Sequence, residues 1–119
     1  MSTRCNVVVK DGYQELWFYR HHDGYPESIL PDLEPIMQKL RDGKLRDNAS
    51  QFAGWLIVKG NEDYYTSTSM SGWQSENFGW RKAHHWKVGN YEPTTGQHGD
   101  VDFVYEIDLT SKNLEVREA

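Results

Sequence analysis

The sequence predicts an α+β domain in which an antiparallel sheet carries two helices on one face, with the element order ββααβββ. Three observations lead to this prediction. Short apolar and polar alternations at both ends of the chain are typical of strands, and two consecutive central stretches carry apolar residues at helical spacing. Short turns between strands favour hairpins, and two neighbouring helices favour a single covered face.

One domain is expected to span residues 1–119, because a chain of this length suits one compact unit and is too short for two. Such a chain buries roughly two-thirds of the surface it exposes when unfolded, so it needs no metal or disulfide to hold a core. The single cysteine, Cys5, excludes an intrachain disulfide and fits a reducing compartment. We expect Cys5 to be a small buried residue of the first strand rather than a reactive thiol.

Five strands are predicted from alternation and turn residues. Asp11-Gly12, a pair favoured in type I′ turns, separates the first two strands. The fourth strand is the clearest, since apolar and acidic residues alternate along it. The predicted strands comprise residues 6–10, 15–21, 85–91, 101–109 and 114–117.

The first predicted helix follows the turn residues 22–26. Pro31 and Pro35 are expected only in its first turn, because a proline deeper in a helix loses a hydrogen bond and clashes with the preceding turn. Gly43 suits the position just past its end. Its buried face consists of Leu33, Ile36, Met37 and Leu40.

The second predicted helix begins after Asp47 or Asn48, either of which can cap it, and ends at Gly60. Residues 61–84 show no period and are rich in Ser, Thr, Gly, Tyr and Trp, so they are predicted to form a long loop. That loop is either functional or a surface excursion. The buried stripe of the helix consists of Phe52, Ala53, Leu56 and Ile57.

Charge and hydropathy restrict the partners of the chain. The net charge of −5, from 13 Lys and Arg against 18 Asp and Glu, argues against binding to long nucleic acids. A small anionic ligand needs only one or two cations in a pocket and is still allowed. The sequence shows no apolar leader and no long apolar run, so we expect a cytoplasmic protein without a membrane partner. Five Trp and seven Tyr are more rings than this domain can bury, which favours a homo-oligomer.

Recognisable catalytic motifs are absent from the sequence. It contains no H-E-x-x-H, no paired cysteines, no Gly-rich phosphate loop and no G-x-S-x-G. We therefore expect neither catalytic residues nor a cofactor. One enzymatic alternative stays open, a metal-dependent hydrolase of a nucleotide signal built on His98 and Asp100, which would share a face of a strand. His84 and His85 are adjacent, so on a strand they would point to opposite faces.

Three polar clusters favour a small-molecule binding protein. They comprise residues 20–25 at the end of the second strand, 46–48 at the start of the second helix, and 91–100. Arg46 beside the N–H groups of a helix N-terminus suits a phosphate, and nearby aromatic rings suit a stacked nucleobase. The candidate ligand contacts in and beside these clusters are His21, Asp23, Tyr25, Arg46, Asn48, Tyr91, Thr94, Thr95, His98 and Phe103.

At these clusters the sequence resembles a family of small bacteriophage and prophage proteins. His22 stands where members more often have a small polar residue, and residues 61–84 lie outside the resemblance. The matching stretches are LWFYRHHDGYPESILPDLEPIM, KLRDNASQFAGWLIVKG and WKVGNYEPTTGQHGDVDFVYEIDL.

The sequence also resembles the phage sponges of the first type described that defeat Thoeris immunity. Those proteins form oligomers and sequester, without cleavage, the cyclic ADP-ribose signal made by the defence TIR enzyme; some also hold cyclic oligonucleotides. The resemblance implies a sheet with helices, a homo-oligomer and action in the host bacterial cytoplasm during phage infection. It also implies ligand contacts at Trp17, Arg20 and Asn90, with Arg46 next.

A third hypothesis is direct inhibition of a host defence protein by an acidic phage protein. Such an inhibitor needs its acidic residues on one continuous face. Here the acidic residues are spread along the chain and interleaved with Lys and Arg, which ranks this hypothesis below the other two.

Overall fold

Five strands and two helices make up the part of the chain that the computed structural model describes, residues 3–68 and 89–119. No helix in this part is long and apolar enough to cross a membrane. The elements in chain order are β1 (Cys5–Lys10), β2 (Glu15–Arg20), α1 (Pro26–Arg41), α2 (Ala49–Thr68), β3 (Glu92–Thr94), β4 (Phe103–Asp108) and β5 (Asn113–Glu118).

The strands form one mixed sheet in the spatial order β3-β2-β1-β4-β5. β1 is antiparallel to β2 and parallel to β4, while β3 and β5 are antiparallel to their neighbours. The predicted order ββααβββ therefore describes the chain and not the sheet, and the prediction of a purely antiparallel sheet is wrong. The reason is the connection from β3 to β4, which carries the chain from one edge of the sheet across β2 and β1.

The connection between β1 and β2 is a four-residue loop rather than a type I′ turn. Lys10 pairs with Glu15, which leaves residues 11–14 in the loop. Of Asp11 and Gly12, only Gly12 has a positive φ, at 88°, whereas a type I′ turn needs positive φ at both central residues. The predicted turn type is therefore wrong, and the Asp11 side chain organises the loop instead.

Helix α1 begins a full turn before Pro31, because Tyr25 has an extended backbone and Pro26 occupies the first turn. Pro31 and Pro35 consequently lie inside the helix, contrary to prediction. Both prolines are exposed, so the carbonyls that lose their helical donors are on the solvent side. The predicted buried face of Leu33, Ile36, Met37 and Leu40 is confirmed, with Ile29 and Asp32 added by the earlier start.

Helix α2 is capped as predicted but does not end as predicted. Asn48 Oδ1 accepts hydrogen bonds from the N–H groups of Ser50, at 2.9 Å, and Gln51, at 3.3 Å. The helix runs through Gly60 to residue 68, so the predicted stop is wrong and residues 61–68 are helical rather than loop. Gly60 has a packing reason to be glycine, because a Cβ there would lie 2.9 Å from a ring carbon of Tyr91.

The predicted third strand is misplaced. Its described residues, 89–91, are not a strand, and β3 begins only at Glu92, just after the predicted strand ends. The remainder of that strand and of the predicted loop, residues 69–88, lies outside the described residues. The short β3 contains Pro93, which lacks a backbone donor and is typical of an edge strand.

Both helices pack on the same face of the sheet and form the main core with it. The opposite face carries a smaller apolar cluster of Val8, Tyr19, Val101 and Val104 with Trp17 beside it. The main core includes Cys5, Val7, Val9, Phe18, Ile29, Leu33, Met37, Phe52, Leu56, Tyr105 and Ile107.

The Asp11 carboxylate should contribute measurably to stability. Hydrogen bonds from the N–H groups of Ala49, Gln14 and Tyr13 lower the pKa of Asp11 to about 2. The folded pKa lies below the ordinary value of 3.8, so the stabilisation is complete above that value and is lost as pH falls through about 2. We expect Asp11→Ala to lower Tm by several degrees at pH 7 in calorimetry, and the difference from wild type to shrink towards pH 2.

A suitable control for Asp11→Ala is Asp47→Ala, which removes the same charge from an exposed residue of the loop before α2. Its Tm should stay close to that of the wild type. Equal losses in the two variants would contradict the capping role of Asp11.

The Cys5 thiol should be unreactive while the protein is folded. Cys5 is fully buried, as predicted, and burial raises the pKa of its thiol to about 12. Since the thiolate is the reactive form, a disulfide reagent at pH 8 should label the protein only at the rate of unfolding. Labelling in guanidinium chloride provides the full-reaction reference, and comparable rates with and without denaturant would contradict this prediction.

Candidate functional site

A groove opens between α1 and α2. Its volume of about 300 Å³ is at the lower end of the range for small-molecule pockets. Its apolar lining comes from Pro35 and Ile36 of α1, Leu45 of the connecting loop, and Trp55 and Val58 of α2. Trp55 and Val58 are 55% and 50% exposed, so a ligand would find an open indole ring and an open aliphatic side chain.

Three lysines line the same groove, Lys39, Lys44 and Lys59. Pro35 and Lys39 are four residues apart on α1, as Trp55 and Lys59 are on α2, which places each pair on one helix face.

Lys44 reaches the groove because Gly43 turns the chain back at the end of α1. Gly43 has φ 73°, its N–H donates to the Leu40 carbonyl, and the Lys44 N–H donates to the Lys39 carbonyl. These two bonds form the Schellman arrangement that follows helix ends. The turn therefore brings the backbone of Lys44 beside that of Lys39.

Asp32, an acidic residue that lines the groove, is hydrogen-bonded to buried side chains. The Asp32 carboxylate accepts hydrogen bonds from Arg20 Nη1, at 3.3 Å, and from Tyr91 Oη, at 2.6 Å. Because the Arg20 charge compensates that of Asp32, Lys39 and Lys44 give the groove positive charge in a chain of net charge −5. The groove is thus suited to an anion that also has an apolar or aromatic part.

A second depression of about 230 Å³ continues the groove along α2. It shares Trp55 and Val58 with the groove and adds Ser50, Gln51 and Gly54. A Cβ placed on Gly54 would meet nothing within 4 Å, so this surface is open. Trp55 therefore stands between two concave regions.

Two of the predicted ligand contacts, Arg20 and Tyr91, are buried and bonded to each other. They are 7% and 1% exposed, and Arg20 Nη1 donates to Tyr91 Oη at 3.1 Å. Arg20 Nε donates to the carbonyl of His22 at 2.8 Å. Burial, and then the neighbouring Asp32 charge, raise the pKa of Tyr91. These side chains hold the end of β2, α1 and the segment before β3 together.

The structure brings three other predicted contacts, His21, Thr94 and His98, together around Tyr19. The His98 ring stacks on the Tyr19 ring with centroids 4.1 Å apart, and His98 Nε2 lies 2.9 Å from Thr94 Oγ1. Tyr19 Oη lies 3.1 Å from His21 Nδ1 and donates to Asp100 Oδ2 at 3.0 Å. Burial, and then the Asp100 carboxylate, raise the pKa of Tyr19.

Trp17 belongs to the same sheet face, which is the face without helices. It lies opposite Thr94 in the register of β2 and β3, and its indole Nε1 donates to Glu15 Oε1 at 2.8 Å. Arg4 adds a cation near this cluster, with Nε 3.4 Å from Asp100 Oδ2. The Trp17 and His98 surface is therefore polar and partly exposed.

The remaining predicted contacts of the first and third clusters are dispersed. Tyr25 Oη donates to Asp23 Oδ1 at 3.2 Å at the exposed start of α1. The backbone N of Asn90 approaches Gly60 of α2. Thr95 is exposed just after β3, and the half-buried Phe103 packs against the main core.

Arg46 and Asn48 lie at the opposite end of β1 from His21. The Ala49 N–H donates to Asp11, which directly follows β1, whereas Gly24 N–H donates to Thr3, which precedes it. The prediction that α2 offers free N–H groups beside Arg46 is wrong, because Asp11 occupies that of Ala49 and Asn48 occupies the next two. A ligand contact at the exposed Arg46 stays a prediction without those donors.

The sequence analysis did not predict the groove, because the residues that line it were interpreted as parts of single helices. Lys39 falls in the last turn of α1, where a cation suits the negative end of a helix, and Trp55 falls outside the predicted buried stripe of α2. The spacing of four residues between Trp55 and Lys59 could have indicated that both lie on one face of α2. The sequence did not indicate how α2 packs against α1.

Residues 3–61 and 89–119 contain no group of three or more His, Cys, Asp or Glu side chains arranged to hold a metal ion. His98 and Asp100 both lie near Tyr19, without a third ligand among these residues. His84 and His85 lie outside the described residues. The hydrolase alternative therefore stays untested.

The Arg20 side chain should matter for folding rather than for ligand contact alone. Arg20→Met would remove the guanidinium that contacts the buried Asp32 carboxylate, so we expect the free energy of unfolding to fall by about 3–5 kcal/mol. Urea denaturation followed by circular dichroism measures this change. Arg46→Met, at an exposed position, should shift it by no more than about 0.5 kcal/mol. Wild-type stability in Arg20→Met would mean that the buried network is dispensable.

Comparisons of the chain with protein-family models, with curated proteins and with solved structures find no match. The resemblance to phage proteins and to the Thoeris sponges therefore stays a prediction, and the described side chains carry the functional inference.

Proposed function

We propose that this chain is a binding protein that sequesters a small phosphate-bearing ring compound in the groove between α1 and α2 and does not cleave it. A cyclic ADP-ribose or cyclic nucleotide immune signal is the ligand class, and a phage counter-defence role follows from it. The observation that carries the proposal is the groove of about 300 Å³ that three lysines and an exposed indole line together.

The charges of the groove suit phosphate. Lys39, Lys44 and Lys59 line one concave surface, and a lysine ammonium group binds phosphate as a mobile point charge. The acidic chain as a whole repels anions, so attraction to this place would be local. Such attraction is screened by salt, and binding should weaken as ionic strength rises.

The apolar side of the groove suits a nucleobase. Stacking of a base on an aromatic ring contributes about 1–3 kcal/mol, and Trp55 is the exposed ring of this surface. The second depression beyond Trp55 offers space for a further ring or a ribose. A mononucleotide-sized or small cyclic ligand fits these dimensions better than a polymer does.

Binding without cleavage is supported by the state of the acidic group that lines the groove. Asp32 Oδ2 accepts hydrogen bonds from Arg20 and Tyr91, so this oxygen belongs to the buried network rather than being held ready to accept a proton from a ligand. Among the described residues that line the groove, the other polar side chains are lysines, which are suited to phosphate.

Trp17, a contact that the resemblance implies, and the predicted cluster contacts Thr94 and His98 suggest a second candidate location on the helix-free sheet face. A stacked His98 and Tyr19 pair and the adjacent Arg4 favour it. This location differs from the groove in lysine content, and variants of each surface distinguish the two.

We expect Lys39→Glu to weaken binding of cyclic ADP-ribose, or of whichever cyclic nucleotide in a panel binds the wild type, by on the order of tenfold in isothermal titration calorimetry. The reason is that the substitution turns an attractive charge in the groove into a repulsive one. Trp55→Ala should cost a similar factor by removing the stacking surface.

The matched control is Lys112→Glu, which makes the same charge change at an exposed turn between β4 and β5 and should leave affinity within about twofold. His98→Ala and Arg46→Ala test the alternative locations. If either of these variants loses binding while Lys39→Glu keeps the affinity of the wild type, the ligand binds at that alternative location and not in the groove. Ligand released by heating should return unchanged in mass spectrometry, and steady turnover would overturn sequestration.

A further inference from the structure

We propose that two copies of this chain pair through β5, in an antiparallel arrangement with its two-fold axis at Val116, so that their sheets join into one. β5 is the last strand of the sheet, and among residues 3–68 and 89–119 only β4 pairs with it. The other edge strand, β3, has three residues and a proline, whereas β5 has six residues and none. A long edge without proline is a template for a further strand.

The backbone groups that point outward from β5 follow from the hydrogen-bond pattern. The Ala119 N–H donates to the Asp102 carbonyl at 3.0 Å, next to the pair formed by Glu118 and Phe103. Bonding directions alternate along an antiparallel strand, so Arg117 and Glu115 turn their N–H and C=O groups towards β4. The groups of Leu114, Val116 and Glu118 consequently face away from the sheet.

The charges of β5 select one register for a second copy. A two-fold axis at Val116 places the Val116 residues of the two copies opposite each other. It also places Glu115 of each copy opposite Arg117 of the other, which gives two pairs of opposite charge. Outward-facing residues then bond to outward-facing residues, as antiparallel pairing requires. An axis at Glu115 or at Arg117 would instead place like charges directly opposite, which is destabilising.

The second copy would also relieve a repulsion within the sheet. Glu115 lies directly opposite Glu106 of β4. Glu106 is approached by Lys10 Nζ at 3.4 Å and by Arg117 Nε at 3.5 Å, whereas Glu115 receives a hydrogen bond from Asn113 at 3.2 Å. In the proposed register Arg117 of the second copy supplies a cation to Glu115.

The apolar contact of the proposed pair lies on the helix-covered face. Val116 is 39% exposed and lies opposite Tyr105, a fully buried core residue. Leu114 already packs against the main core from the same strand. Contact between two Val116 side chains would therefore continue an existing apolar layer across the two-fold axis.

The test is the mass of the protein in light scattering at micromolar concentration, expected to be near twice 13.9 kDa. Val116→Pro removes an outward-facing donor and leaves the bonds to β4 intact, so it should give a folded monomer. Glu115→Arg should also give a monomer, because two arginines would face each other. The double variant Glu115→Arg with Arg117→Glu exchanges the charges and should restore the dimer.

Circular dichroism and Tm establish whether each variant is folded. If Val116→Pro does not fold, the comparison of Glu115→Arg with the double variant still tests whether the β5 strands pair. A larger wild-type assembly whose mass falls by half in Glu115→Arg and recovers in the double variant supports the pairing. A wild-type monomer at about 100 μM overturns it, as does a double variant that stays monomeric, because paired β5 strands depend on those cross-strand charges.

Discussion

The buried contact among Arg20, Asp32 and Tyr91 connects three parts of the chain that are far apart in sequence. Arg20 ends β2, Asp32 lies in α1, and Tyr91 precedes β3. Burying a guanidinium and a carboxylate is costly unless each is compensated, and here the Tyr91 hydroxyl donates to Asp32 while the His22 carbonyl accepts from Arg20. The contact therefore fixes how α1 and the approach to β3 sit against the end of β2.

Asp11 performs the corresponding task at the other end of β1. Its carboxylate orders the loop between β1 and β2 and accepts the first N–H of α2, so one side chain joins a hairpin to a helix. With α1 fixed through Asp32 and α2 through Asp11, the groove between the helices has a defined shape. These two contacts therefore also fix the backbone positions of the lysines that line the groove.

The two surfaces to which we assign roles are separate. The groove belongs to the helices, whereas β5 is the edge strand beyond β4 and contributes no residue to the groove. Ligand binding and self-association can therefore coexist, and a pair of chains would carry two grooves. The helix-free sheet face around Tyr19 and His98 is a third surface, with stacking rings and mixed charge.

Local patterns in the sequence determined the strands β1, β2, β4 and β5, the buried face of α1 and the Asn48 cap of α2. Each of these depends on residues a few positions apart, so the signal is contained in a short window. The burial of Cys5 follows from the same strand pattern.

Only the tertiary structure decided the parallel pairing of β1 with β4, the passage of α2 through Gly60 and the filling of the α2 N-terminus by Asp11. It also turned Arg20 and Tyr91 from expected ligand contacts into a buried network, and it created the lysine groove. These features depend on contacts between residues 38 or 59 positions apart, such as Asp11 with Ala49 and Asp32 with Tyr91. Periodicity and capping rules describe one element at a time, and they do not specify which distant element will pack against it.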